Sequence, residues 1–275
     1  MQKADVIIFG GQSNMQGETE RLSNTNVVEN AVEYKYLTDT LVPLHNPVGE
    51  DIRFDGKPGE PFTKETNLSE WLNNHVTGSS AFGYTNLVPS FCEAYVQETG
   101  RNAVAVHIAK GSTRIEYWIP ETDAYNLLIK KASAAVKKAK ENFEIGNVFF
   151  VWLQGESNAL KQTPEQEYLD NLIRLKNGLK KEVGIDKFGI IKVGYFAINA
   201  GWVSGEREEK KVWDETIMSA QEKAVERDND FIMLTRICPE LSLGTEYMNP
   251  YVVGHYSAAG LEKIGAAAGK ALGKL

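Results

Sequence analysis

Val6-Ile7-Ile8-Phe9-Gly10-Gly11-Gln12-Ser13-Asn14-Met15 opens the chain, and its reading decides how the rest is parsed. Four consecutive apolar residues ending on two glycines predict a strand buried on both faces. Such a strand belongs in a sheet covered by helices on both sides. The rest of the chain keeps that rhythm. Residues 84–99 read as a helix stopped by Gly100, and Ala103–Ile108 as a strand. Residues 123–142 read as an amphipathic helix with lysines on its outer face. Val148–Leu153 is the next strand, and Thr163, Pro164 and Gln166 then open a helix reaching about Gly184, with Thr163 as its cap. Ile190–Phe196 is a strand, 212–228 a helix, Phe231–Thr235 a strand and 257–272 a helix, with one or two short strands within 33–44. Alternating strands and helices imply crossovers and a parallel sheet, which binds ligands outside the carboxyl ends of its strands. Function is therefore expected just after Phe9, Ile108, Leu153, Phe196 and Thr235.

The composition is that of a globular protein. The chain has 275 residues, 42 % hydrophobic and 24 % charged, with a formal net charge of −7. An acidic balance disfavours non-specific binding to nucleic acid or anionic membrane. No apolar run approaches the roughly 18 residues a membrane span needs, and Val6–Phe9 is too short for a signal-peptide core. The cytoplasm is the default expectation. Two cysteines, Cys92 and Cys238, are too few for a disulfide scaffold or a four-thiolate zinc site. With no repeat or composition break, residues 1–275 are expected to form one domain, interrupted at 45–82 by a long excursion rich in Pro and Gly.

The strand ends carry polar clusters. Gly10–Gly17 lacks the spacings of a phosphate loop, a dinucleotide turn and a Gly-x-Ser-x-Gly elbow. What remains is Ser13 on a Gly-rich turn, a place that exposes its hydroxyl and aims backbone N–H groups at the same space. By itself such a turn is equally at home as structure. The second strand is followed by Gly111 and the third by Gln154-Gly155-Glu156-Ser157-Asn158. His255 sits on a loop before the last helix, while His107 falls inside a strand. No His/Cys cluster has metal-ligand spacing, and no motif calls for a cofactor.

Together these pieces resemble the SGNH (GDSL-like) hydrolases, in the form of the acetylxylan esterases and sialate O-acetylesterases. Gly11-Gln12-Ser13-Asn14-Met15 resembles their first block. Gly111-Ser112-Thr113-x-Ile115-Glu116-x-Trp118 resembles the second, usually Gly-Gly-Thr-x-Ile-x-x-Trp. Trp152–Asn158 resembles the third and His255–Gly260 the last. The resemblance implies a three-layer α/β/α sandwich with a five-stranded parallel sheet, and deacetylation of an acetylated carbohydrate through an acetyl-enzyme. It implies Ser13 as nucleophile, His255 as general base, and Ser13, Gly111 and Gln154 as oxyanion donors. Gln12, Asn14, Arg114, Trp118 and Asn158 become expected substrate-binding residues, with Trp202 and Tyr195 as further aromatic surfaces. One departure matters: the family often places an Asp two or three residues before the histidine, where this chain has Val253 and Val252. The orienting acid then comes from elsewhere, with Glu156 the first candidate, or the site is a Ser–His dyad. Related readings are a short-chain lipid or thioester hydrolase on the same fold and a non-catalytic carbohydrate-binding relative.

Overall fold

A computed structural model describes residues 1–59, 85–198 and 215–275, together with residues 65, 67, 75–77 and 210–212. The strands are β1 (Lys3–Gly11), β2 (Ala31–Lys35), β3 (Thr40–Pro43), β4 (Ile52–Arg53), β5 (His75–Thr77), β6 (Asn102–Ala109), β7 (Glu144–Leu153), β8 (Lys187–Ile191), β9 (Phe196–Ile198), β10 (Lys210–Val212) and β11 (Phe231–Thr235). The described helices are α1 (Ser13–Gln16), α2 (Val88–Thr99), α3 (Asp123–Asn142), α4 (Glu156–Leu160), α5 (Glu165–Glu182), α6 (Thr216–Arg227), α7 (Ile237–Leu241) and α8 (Ala258–Gly273). No described helix is long and apolar enough to cross a membrane.

The main sheet has seven strands in the order β11-β8-β7-β1-β6-β2-β3. The expected five parallel strands are present, and the β2–β3 hairpin extends them. β2 pairs parallel to β6, while β3 returns antiparallel and forms the edge. The hairpin is recruited because Ala31 and Tyr34 are buried, Ala31 in the core on one face and Tyr34 in the core on the other.

Period-two alternation along each inner strand feeds two cores. Val6, Ile8, Val104, Val106 and Phe150 join one face, whereas Ile7, Phe9, Ala103, Ala105 and Val151 join the other. The first face packs under α3, α5 and α6, and the second under α2 and α8. Helix boundaries follow local chemistry. Gly100 ends α2 in the left-handed conformation at φ 66°, and Ser257 caps α8 by accepting the Gly260 N–H. Thr163 does not cap α5. Pro164 holds the cap position without a side-chain bond, because the Thr163 hydroxyl accepts from Asn158 instead. The strand read at 190–196 lies at Lys187–Ile191, with Phe196–Ile198 a separate strand. One α3 lysine breaks the amphipathic pattern: Lys131 is fully buried because Glu50, from the excursion, meets its ammonium at 2.7 Å.

β1 lies between β6 and β7. At its amino end Asp5 is buried and accepts from Arg101, Tyr95 and Asn147. At its carboxyl end the register places Gly10 and Gly11 opposite Trp152 and Leu153. Gly11, at φ 154°, passes so close to β7 that a Cβ would stand 2.0 Å from the Leu153 carbonyl oxygen. A backbone atom cannot swing aside. Gly11→Ala is therefore expected to destabilise the fold by at least about 3 kcal/mol, measured by denaturant unfolding.

Candidate active site

β1, β6 and β7 end together, and the loop before α8 reaches back over them. Gln12 is extended, and Ser13 then opens the single turn of α1. Ser13 opens a helix, so its N–H has no partner within α1. The His255 ring comes from the loop between α7 and α8. Its Nε2 lies 2.8 Å from Ser13 Oγ, and its Nδ1 lies 2.9 Å from the Val253 carbonyl oxygen. A carbonyl only accepts, so the Nδ1 it meets carries the ring proton. The Nε2 lone pair of the neutral ring then faces the serine hydroxyl.

Glu156 does not orient His255. The expectation placed its carboxylate on Nδ1, but that nitrogen meets Val253, and Glu156 Oε1 accepts from Asn14 Nδ2 at 2.7 Å. Glu156 begins α4 and is buried, with no hydrogen-bond partner for Oε2. Burial pushes its carboxyl above the usual range, against the opposing pull of Asn14.

Gln154 is likewise no oxyanion donor. It is fully buried, and its Nε2 donates to Gln12 Oε1, the Thr113 carbonyl and Asn158 Oδ1. Four of the expected substrate-binding residues belong to the same internal frame. Gln12 Oε1 also accepts from the Ser157 N–H. Asn158 Oδ1 takes the Ile115 N–H, and its Nδ2 reaches Glu116 and Thr163. Trp118 is fully buried, donates to Thr113 Oγ1 and stands edge-on to Trp152. Asn14 joins the Ser13 turn to the histidine loop, donating to the Gly254 carbonyl and accepting the Tyr256 N–H. The polar side-chain atoms of Asn14, Asn158 and Trp118, and the amide oxygen of Gln12, are bonded within the protein and brace the site. Arg114 is accessible and paired to Glu116 at 3.0 Å. Tyr195 donates to Glu215. Trp202 lies outside the described residues, as does much of 45–82.

Gly111 does reach the site. Its N–H donates to Gln16 Oε1 at 2.8 Å, and a Cβ here would stand 3.5 Å from Ser13 Cβ. Beside it Ser112 adopts the left-handed φ of 60°, where the resembled block has glycine. Lys110 is buried, its backbone N–H bonded to the Gly11 carbonyl. Burial lowers its ammonium to about 8, and Asp51 opposes that shift.

Sequence reasoning missed one acid. Glu18 Oε2 lies 3.3 Å from His255 Nε2, and its Oε1 stands 2.7 Å from where a Gly111 Cβ would be. Burial holds its carboxyl above the usual range, and the neighbouring His255 opposes that shift only in part. The only cue was Gly17, whose φ of 99° turns the chain back toward the serine. Among the described residues no three His, Cys, Asp or Glu side chains gather as metal ligands would.

The fold is α/β with a mostly parallel sheet, and Ser13 and His255 meet where such sheets bind ligands, beyond the carboxyl ends of the strands. The sequence profile described as carbohydrate esterase, sialic acid-specific acetylesterase, matches residues 3–251. The chain belongs to this family and is a carboxylic ester hydrolase. The match stops at residue 251, short of His255, whose place beside Ser13 rests on its own motif and on the 2.8 Å contact. No curated protein matches the chain. Among solved structures, a protein from Arabidopsis thaliana is similar with a TM-score of 0.62 at 15 % identity, over 97 % of this chain and 96 % of that one. NanS is similar with a TM-score of 0.54 at 14 % identity, over 96 % and 94 %. At such identities the likeness is one of fold.

Glu156→Gln separates a brace from a triad acid. A triad carboxylate is worth about 10⁴ in turnover. Here Gln keeps the Asn14 bond, so turnover is expected to fall less than about tenfold. A carboxyl raised on folding makes the native state lose stability as pH climbs above its unfolded value of 4.5. The Gln variant escapes that loss. Its melting temperature is expected to gain on wild type as pH rises from about 4 to about 9.

Proposed function

We propose that this chain removes O-acetyl groups from a carbohydrate by a Ser13–His255 dyad through an acetyl-enzyme. The observation that carries the proposal is the 2.8 Å contact of Ser13 Oγ with His255 Nε2, on a ring whose other nitrogen meets a carbonyl. A serine hydroxyl is a weak nucleophile until a base in hydrogen-bond reach takes its proton. His255 takes it as Oγ attacks the acetyl carbonyl, and the Val253 carbonyl keeps the tautomer fixed throughout. The charge on the carbonyl oxygen is met by the Ser13 and Gly111 N–H groups, each worth on the order of 3 kcal/mol of barrier. Gln16 supports the Gly111 assignment, because an amide oxygen already sits on that N–H and an ester carbonyl oxygen would exchange with it. The imidazolium returns its proton to the leaving sugar oxygen. Water then repeats the sequence on the acetyl-enzyme.

Sugar recognition needs apolar faces beside polar edges. Tyr251 is 80 % exposed on the loop that carries His255, and Tyr117 is 46 % exposed on the turn after Gly111. These two serve as platforms, in place of Trp118. Arg114 is the cation an acidic sugar would meet, in competition with Glu116.

Ser13→Ala and His255→Ala should each lower turnover of an aryl acetate by several orders of magnitude, the double variant being little worse, as for residues acting as one unit. Near wild-type rate in Ser13→Ala would remove the serine from the mechanism. Acetate release from acetylated xylo-oligosaccharides, sialates and monosaccharides identifies the sugar. Tyr251→Ala is expected to raise KM about tenfold for the best of these while leaving aryl acetate hydrolysis unchanged.

A further inference from the structure

In the Ser–His dyad just proposed, the carbonyl on Nδ1 fixes the tautomer, but it brings no full charge to balance the imidazolium that forms at each proton transfer. A carboxylate stands on the opposite nitrogen. Glu18 Oε2 is 3.3 Å from His255 Nε2, the atom that receives the serine proton. We propose that Glu18 is the charge partner of the His255 imidazolium, acting from the Nε2 side in place of an acid on Nδ1.

The placement is built by the fold. The Glu18 carbonyl accepts from Asn249 Nδ2 at 3.1 Å, and the Asn249 N–H donates to the His255 carbonyl at 2.8 Å. Asn249 Oδ1 takes the Tyr251 and Val252 N–H groups. One side chain thus sets Glu18 and the histidine loop in a single frame. Two residues further, Glu20 accepts the Ala258 N–H at the start of α8, so the turn carrying Glu18 is pinned at both ends. Gly111 gives the carboxylate its room, since a Cβ there would meet Oε1 at 2.7 Å.

The chemistry requires no change in the proton route. Nε2 gains the proton from Ser13 and gives it to the sugar oxygen, and Glu18 takes no part in the transfer itself. While protonated, the Nε2 N–H is shared between Ser13 Oγ and Glu18 Oε2. An opposite charge at this range favours the charged ring over the neutral one. Removing the Glu18 charge is therefore expected to move the acid limb of the reaction down. Glu156, on α4, is another acid whose charge interacts with His255. The nearby base Lys110, before Gly111, has Asp51 as its charge neighbour.

The test is the pH dependence of kcat/KM for an aryl acetate in wild type, Glu18→Gln and Glu156→Gln, with thermal melts to verify folding. Glu18→Gln is expected to move the acid limb down by about one unit or more and to lower plateau kcat about tenfold or more. Glu156→Gln should move the limb less than Glu18→Gln does. A limb unmoved in Glu18→Gln overturns the proposal, and a raised KM with it would assign Glu18 to the sugar instead. His255 ring titration by NMR in Ser13→Ala, with and without Glu18→Gln, reads the same shift without turnover. No difference there also overturns it. Ser13→Ala alone separates the two readings: residual activity near wild type defeats the serine mechanism, whereas a dead Ser13→Ala with an unshifted Glu18→Gln defeats only the role of Glu18.

Discussion

The amide of Asn14 is the link on which the site depends. Ser13 sits near the start of the chain and His255 near its end. Their contact is useful only if the two loops cannot drift. Asn14 donates to Glu156 and to the Gly254 carbonyl and accepts from the Tyr256 N–H. It thereby ties the Ser13 turn, the third strand end and the histidine loop through one buried group. A buried polar group left unpaired costs roughly 1–3 kcal/mol. Separating the loops would strand several such groups at once.

The same logic explains the third block. Gln154, Asn158 and Gln12 interlock with Thr113 and the Ile115 and Ser157 N–H groups. Tyr168 and Gln221 close the network from the helices behind, Tyr168 by donating to Gln154 Oε1 and Gln221 to the Gln154 carbonyl. These are structural bonds inside a low-dielectric interior, where a fully satisfied network is rigid. Rigidity is what lets a short turn hold a hydroxyl at hydrogen-bond distance from a base on another loop.

Much of the fold was legible because its signals are local and periodic. Phe231–Thr235 and the 123–142 helix match β11 and α3 as read, and Gly100 ends α2 where its composition says it should. The hairpin that widens the sheet was only hinted at, since short strands carry little periodicity. Ser13 and His255 could be named from motifs. The partners of the polar residues could not, because hydrogen bonding depends on spatial neighbours. Asn158, Gln154 and Trp118 were expected at the site from their motifs, yet their polar atoms are spent internally. Glu18 went unseen for the converse reason. It belongs to no motif, and only the turn at Gly17 folds it onto the imidazole. The apolar pair Val252–Val253 was rightly read as lacking an acid, but a main-chain carbonyl leaves no trace in residue identity.

β1 has a different task at each end. Its amino end buries Asp5 among Arg101, Tyr95 and Asn147, and its carboxyl end delivers Ser13. A single strand nine residues long separates the two, so the anchoring charges and the Ser13 hydroxyl share a rigid ruler but no common atoms. Changes at the foot of the sheet can tune robustness without touching the chemistry, and the loops at its head can be remodelled for a new ester substrate against an unaltered foundation. The fold thus offers evolution, or an engineer, two independent workbenches on one beam.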